Sequence, residues 1–122
     1  MDEAAKKTAN RPKMQNAQSQ QIVLRFYSAL DRLTADGAIR GVSAFARIYG
    51  LNKWNFATQR AEPWRDMFQL SWLELLACDF GVNPSWMLLG QGRFYKPGWS
   101  AERVKRHLRM RQQRRNNIID NS

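Results

Sequence analysis

From Ile22 onward, apolar residues recur at helical spacing: Ile22, Phe26, Leu30 and Leu33 mark one face, and Val23 and Tyr27 widen it. That period is the signature of a helix with one buried side. It predicts a first helix from about Gln20 to Ala35, stopped at the turn pair Asp36-Gly37. Phe45 and Ile48 form the stripe of a second helix over Val42 to Tyr49, with Ala46 small enough to admit a neighbour. Gly50 can take the positive φ that ends a helix, and Asn52 can cap the next one. A third helix then spans Lys53 to Arg60 and ends at Glu62-Pro63, because proline cannot continue it. Trp64 to Gln69 reads as a loop. Leu70, Leu73, Ala77 and Phe80 mark a fourth helix stopped by Gly81. Asn83-Pro84 opens a one-turn helix carrying Trp86, Leu88 and Leu89. After Lys96-Pro97-Gly98, Ser100 and Glu102 can start a last helix over about Ala101 to Gln113. The polar stretch ahead of these elements lacks any period. The expected layout is a disordered polar arm over residues 1–19, a compact all-α domain over 20–95, and a partly helical basic tail over 96–122.

Charge sharpens this layout. A chain of 122 residues suits one domain plus tails, and a net charge of +10 calls for a polyanionic partner, nucleic acid or an anionic membrane surface. The charge is unevenly placed: Met1–Gln21 carries +2, Ile22–Gly92 only +1, and Arg93–Ser122 +7. The domain is thus nearly neutral and the tail holds the positive field, so a sequence reader and an electrostatic anchor can be separate parts of the chain. No apolar run approaches the ~20 residues of a membrane-spanning helix, and the first residues hold no apolar signal core. Cys78 and His107 are the only cysteine and histidine. No internal disulfide, zinc site or Cys/His nucleophile pair is expected from them, and the single cysteine fits a reducing compartment.

The segment Gly41 to Gly92 is more specific. It combines Phe45-Ala46…Gly50-Leu51-Asn52, Phe56 as the inward residue of the third helix, and the closing run Trp86-Met87-Leu88-Leu89-Gly90-Gln91-Gly92. With the first helix included, Ile22 to Tyr95 resembles the five-helix DNA-binding domain of lambda-repressor-like helix-turn-helix regulators, in a variant common in Bacteroidetes genomes and their mobile elements. The resemblance implies an all-α five-helix fold and double-stranded DNA as partner. It also implies a bacterial transcriptional regulator that is cytoplasmic and nucleoid-associated, needs no cofactor, and binds as a homodimer on two half-sites. Two departures concern docking. Such domains often open helix two with a phosphate-binding glutamine, where this chain has Val42; and the loop after helix three is longer than usual, holding Trp64 and Arg65.

Helical geometry names the readers. With Phe56 inward, Gln59 and Arg60 lie near it, the Arg60 stem packing and its head free, while Trp54, Ala57, Thr58 and Ala61 face outward, flanked by Lys53 and Asn55. Lys53, Trp54, Asn55 and Thr58 are the candidate base contacts: lysine and asparagine offer hydrogen bonds to base edges, and an aromatic can meet thymine methyls. The opposing reading makes Trp54 a core residue, as aromatics in short helices usually are. Candidate phosphate contacts are Arg40, Ser43 at the start of helix two with its outward N–H groups, Arg47, Arg60 and Arg65, joined from the tail by Arg103, Arg106 and Arg109. Trp72 and Trp86 read as structural, Cys78 as a small packed residue of helix four, and His107 as a surface residue.

In the tail, Val104 and Leu108 form a stripe too narrow for a coiled coil. A short helix crowded with like charges is marginal in water, so the tail is expected to fray when free and to become helical along a phosphate backbone. The stripe is also too sparse for an interfacial membrane helix. Three functions compete: a sequence-specific DNA-binding regulator; an architectural or accessory nucleic-acid binder of a mobile element, dominated by the tail; and a protein-interaction module anchored on Trp54 and Trp64. No phosphate loop, metal-ligand spacing or catalytic triad suggests an enzyme or a small-molecule substrate.

Overall fold

The computed structural model describes residues 15–120. The expected disordered arm falls mostly outside the described residues, over 1–14. Six α-helices follow: α1 (Ala17–Ala35), α2 (Val42–Tyr49), α3 (Lys53–Ala61), α4 (Leu70–Asp79), α5 (Pro84–Leu89) and α6 (Ala101–Asp120). Among the described residues no strand forms, and one isolated antiparallel bridge joins Val82 to Tyr95. No described helix is long and apolar enough to cross a membrane.

Helix α1 begins at Ala17, ahead of the expected Gln20, because Asn16 caps it by accepting a 2.8 Å hydrogen bond from the Ser19 N–H. Gln15 N–H donates to the Trp64 carbonyl at 2.7 Å, which ties the start of α1 to the loop after α3. Val23, Phe26, Tyr27, Ala29, Leu30 and Leu33 are buried, while Ile22 is only half-buried. Phe26 is the centre of the core. Phe45 from α2, Phe56 from α3, Phe68 from the loop before α4 and Trp72 in the first turn of α4 lie around it at ring-centroid distances of 5.2 to 6.3 Å, in edge-on and stacked pairs. These geometries suit the ring quadrupoles and add to the burial of large apolar area.

Two helices turn otherwise than expected. In α4 the buried residues are Trp72 and Leu76, continued by Phe80, while Leu70 is 79% exposed and Leu73 and Ala77 are half-buried. The sequence Leu70-Ser71-Trp72-Leu73-Glu74-Leu75-Leu76 is apolar on most sides, so its period leaves the rotation open. Trp72 settles it by packing against Phe56 at 4.7 Å. Cys78 consequently faces solvent instead of packing as a small core residue. In α5 the buried residue is Met87, and Leu88 and Leu89 point outward. Arg25 fixes this rotation by donating to the carbonyls of Met87 and Leu88 at 2.7 and 2.8 Å.

The largest difference concerns the tail. Helix α6 is longer than the expected Ala101 to Gln113, reaching Asp120, and its first half packs on the domain. Val104 is fully buried and Leu108 packs at the edge of the same core. The Trp99 ring lies directly over Gly81, where an added Cβ would sit 2.1 Å from the ring. Gly81 has φ +63°, so both its conformation and its missing side chain are used. From Arg109 to Ile118 each residue of α6 is exposed, and Arg111 still reaches back to Tyr49 and Asp79.

Candidate nucleic-acid interface

Helices α2 and α3 meet at a tight turn. Gly50 takes φ +66° and its N–H closes α2 onto Ala46 and Arg47 carbonyls. Asn52 then caps α3, its Oδ1 accepting from the Trp54 N–H at 2.9 Å. Phe56 and Gln59 point inward and are fully buried. The opposite face carries Lys53, Trp54, Asn55 and Thr58, all exposed. Trp54 is 70% exposed and is not a core residue. The Lys53 ammonium lies 5.2 Å from its ring centroid. Beside it, a notch of about 330 Å³ between Val42, Ser43, Trp54, Ala57 and Arg60 makes this face concave. Between Asp36 and Glu62 the chain contains no acidic residue. The α2–α3 surface therefore offers an anion no like charge of its own.

Of the candidate phosphate contacts, Arg40, Ser43, Arg47, Arg106 and Arg109 are exposed. Three others are engaged within the protein. The Arg60 head is not free: it forms a forked pair with Asp31 of α1 through both terminal nitrogens, and its guanidinium lies 5.8 Å from the Tyr27 ring. The Asp31 hydrogen bond, together with its charge, raises the Arg60 pKa against an opposing burial effect. Arg65 pairs with Glu62. Arg103 donates to the Gly98 carbonyl at 3.0 Å and covers the Trp99 ring at 4.2 Å. A phosphate at any of these must share or displace an internal partner.

The inward side of α3 holds a polar pair. Tyr27 OH donates to Gln59 Oε1 at 2.9 Å, while Gln59 Nε2 is buried without a partner. Burial pushes the Tyr27 hydroxyl far above its ordinary range, with Arg60 opposing. This pair fixes the rotation of α3 against α1, because a slip would leave both groups unsatisfied in the core.

Helix α6 is held to the α2–α3 unit by Asp79 at the end of α4. Asp79 Oδ2 accepts a 2.6 Å hydrogen bond from Tyr49 OH, the last residue of α2. Its Oδ1 lies 2.8 Å from His107 Nε2, and Arg111 Nε approaches Oδ2 at 4.0 Å. The Arg111 guanidinium also covers the Tyr49 ring at 5.0 Å. Burial, then the hydrogen bond and charge of Asp79, raise the Tyr49 pKa, so its proton stays available for this bond. His107 is therefore a joint between helices, not a bare surface residue, and its ring meets Trp99 edge-on at 5.6 Å. Asp79, Tyr49 and Arg111 were not among the expected site residues. The spacing Val104, His107, Leu108, Arg111 follows one helix face, and a reading that counted His107 as part of the stripe would have found it. The joint places the basic helix against the end of α2, next to the turn into α3. Comparison with family models, with curated proteins and with solved structures finds no match to this chain.

Proposed function

We propose that this protein is a sequence-specific DNA-binding regulator of the helix-turn-helix type, with α3 entering the major groove and α6 lying on phosphates. The observation that carries the reading is the outward face of α3. Lys53, Trp54, Asn55 and Thr58 stand exposed on an acid-free helix pair, and Trp54 lines a notch between α2 and α3 where it offers a broad apolar contact beside hydrogen-bonding groups. Groove-edge chemistry fits these side chains, and Arg40, Ser43 and Arg47 are available to the flanking phosphates. The docked basic helix supports the reading because Arg106, Arg109, Arg114 and Arg115 are exposed on an element braced to α2. The resemblance of Ile22–Tyr95 to lambda-repressor-like domains adds to it, and a homodimer on two half-sites rests on that resemblance alone.

A second reading is favoured by the same helix. Its exposed arginines suit an architectural binder with little base preference, in which phosphate contacts dominate. Binding of the wild-type chain and of Trp54→Ala to duplex DNA by fluorescence anisotropy separates the two. A regulator loses about tenfold or more in affinity for its preferred site, within the ~1–3 kcal/mol carried by a base-edge contact, and little for random duplex. Equal, small losses on both would favour the architectural role. No duplex binding by either chain would leave Trp54 and Trp64 as anchors for a protein partner.

A further inference from the structure

Away from α3, a second group of cations lines a cavity of about 660 Å³ between the end of α1 and the segment after α5. Its lining includes Phe94, Tyr95 and Trp99, with Arg32, Arg93 and Lys96 among them, and Phe94 is the most buried of these. It shares no lining residue with the notch on α3. The backbone here is fixed: Asn83 N–H donates to the Phe94 carbonyl at 2.7 Å and Lys96 N–H to the Gly81 carbonyl at 2.8 Å. The cavity is therefore held by pairing on both sides of the Val82–Tyr95 bridge.

Its electrostatics are lopsided. One carboxylate, Asp36, reaches the group, and it is already shared: it accepts from Tyr95 OH at 2.7 Å and pairs with Arg32 Nε at 3.3 Å. Arg93 and Lys96 have no carboxylate partner among the described residues. The Tyr95 hydroxyl, raised by burial and then by its bond to Asp36, stays neutral and adds no negative charge. The Arg32 guanidinium covers the Phe94 ring at 4.9 Å, which presents a flat cationic surface.

Three cations beside three aromatic rings suit a ligand that combines an anion with a planar ring. Phosphate meets arginine and lysine strongly, bases stack on aromatic and guanidinium planes, and the volume falls within the ~300–1,000 Å³ of small-ligand sites. We propose that this groove binds a nucleoside phosphate, with Arg93 and Lys96 on the phosphate and the base against the Arg32–Phe94 wall. The ligand is either a free nucleotide or one unit of a nucleic-acid strand. This site is independent of the groove-reading role of α3.

The test is a titration of the full ¹⁵N-labelled chain with ATP, with inorganic pyrophosphate and with a short single-stranded oligonucleotide, following the indole N–H resonances. Saturable movement of the Trp99 indole, with Trp54 unmoved, is the expected result. ATP bound at least about tenfold more tightly than pyrophosphate reports the stacked base. Arg93→Glu with Lys96→Glu weakens binding about tenfold or more, whereas Lys6→Glu with Lys7→Glu, an equal change of net charge, weakens it less than about threefold in physiological salt. If charge reversal disturbs the fold, Arg93→Gln with Lys96→Gln, set against Lys6→Gln with Lys7→Gln, gives the same comparison. ATP binding identifies a free nucleotide as ligand, and oligonucleotide binding without ATP binding identifies a strand. No Trp99 response to either, equal losses in the two reversals, or pyrophosphate binding as tightly as ATP overturns the proposal.

Discussion

Replacing Gly81 by alanine probes the docking of the basic helix at its most confined point. Two costs add. At φ +63° a residue with a Cβ is strained by roughly 1–2 kcal/mol. The new methyl would also sit 2.1 Å from the Trp99 ring, so the indole must leave its place. A tryptophan buries about 150–250 Å², and losing about half of that at ~25 cal/mol per Å² costs about 2–3 kcal/mol. Gly50→Ala is the matched control: its φ is +66° and nothing lies within 4 Å of an added Cβ, so it carries the strain alone. In urea unfolding, Gly81→Ala should lose about 3–5 kcal/mol and Gly50→Ala about 1–2, the difference being the Trp99 contribution. Hydrogen exchange should show the excess loss concentrated in α6. Equal destabilisation by the two substitutions would refute the packing of Trp99 on Gly81 and the docking that rests on it.

Other consequences can be checked in parallel. Trp54→Ala should leave the thermal midpoint almost unchanged, since its ring is largely in water; a large drop in a melting scan would show that it supports the core. Gln59→Met removes a buried amide nitrogen that has no partner, but strands Tyr27 OH, so it should destabilise alone by about 1–3 kcal/mol and recover when combined with Tyr27→Phe, as read by a double-mutant cycle in urea. The three tyrosines are held protonated in the fold, with pKa values raised above those of the unfolded chain, so their stabilisation is complete below about pH 10 and declines as pH rises beyond it. Denaturant midpoints measured from pH 8 to 11 should fall over the upper part of that range, and less steeply in Tyr49→Phe. Replacing Arg106, Arg109, Arg114 and Arg115 by glutamine should flatten the log–log salt dependence of DNA affinity by about 0.9 per lost phosphate contact, measured by anisotropy, while base preference persists.

The helices themselves were legible where sequence chemistry is local. Gly50, Asn52, Pro63 and Asn83-Pro84 each act on their own backbone: α2 ends at Gly50, and α3 and α5 begin where Asn52 and Asn83-Pro84 place them. The outward face of α3 followed from one inward residue, Phe56, and the wheel then put Trp54 in solvent. What the sequence concealed depends on partners distant along the chain. The rotation of α4 is set by Trp72 against Phe56, and that of α5 by Arg25, neither of which a local period encodes. The tail looked marginal because Val104 and Leu108 make a thin stripe. Its docking also uses Trp99 on Gly81 and the Asp79 joint, which lie outside the helix or behind polar names. Arg60 and Arg65 looked free for the same reason, their carboxylate partners being visible only once the chain is folded or the turn is formed.

The central claim is that the exposed face of α3 reads base sequence. Selection with the 122-residue wild-type chain and with Asn55→Ala from a random duplex DNA library, at moderate salt, tests it most directly. The account predicts one enriched motif for the wild type, two-fold symmetric if the chain binds as a dimer, and loss or change of preference at one position of each half-site for Asn55→Ala. Duplex binding with no enriched motif, or an identical motif for both proteins together with Trp54→Ala, would contradict it.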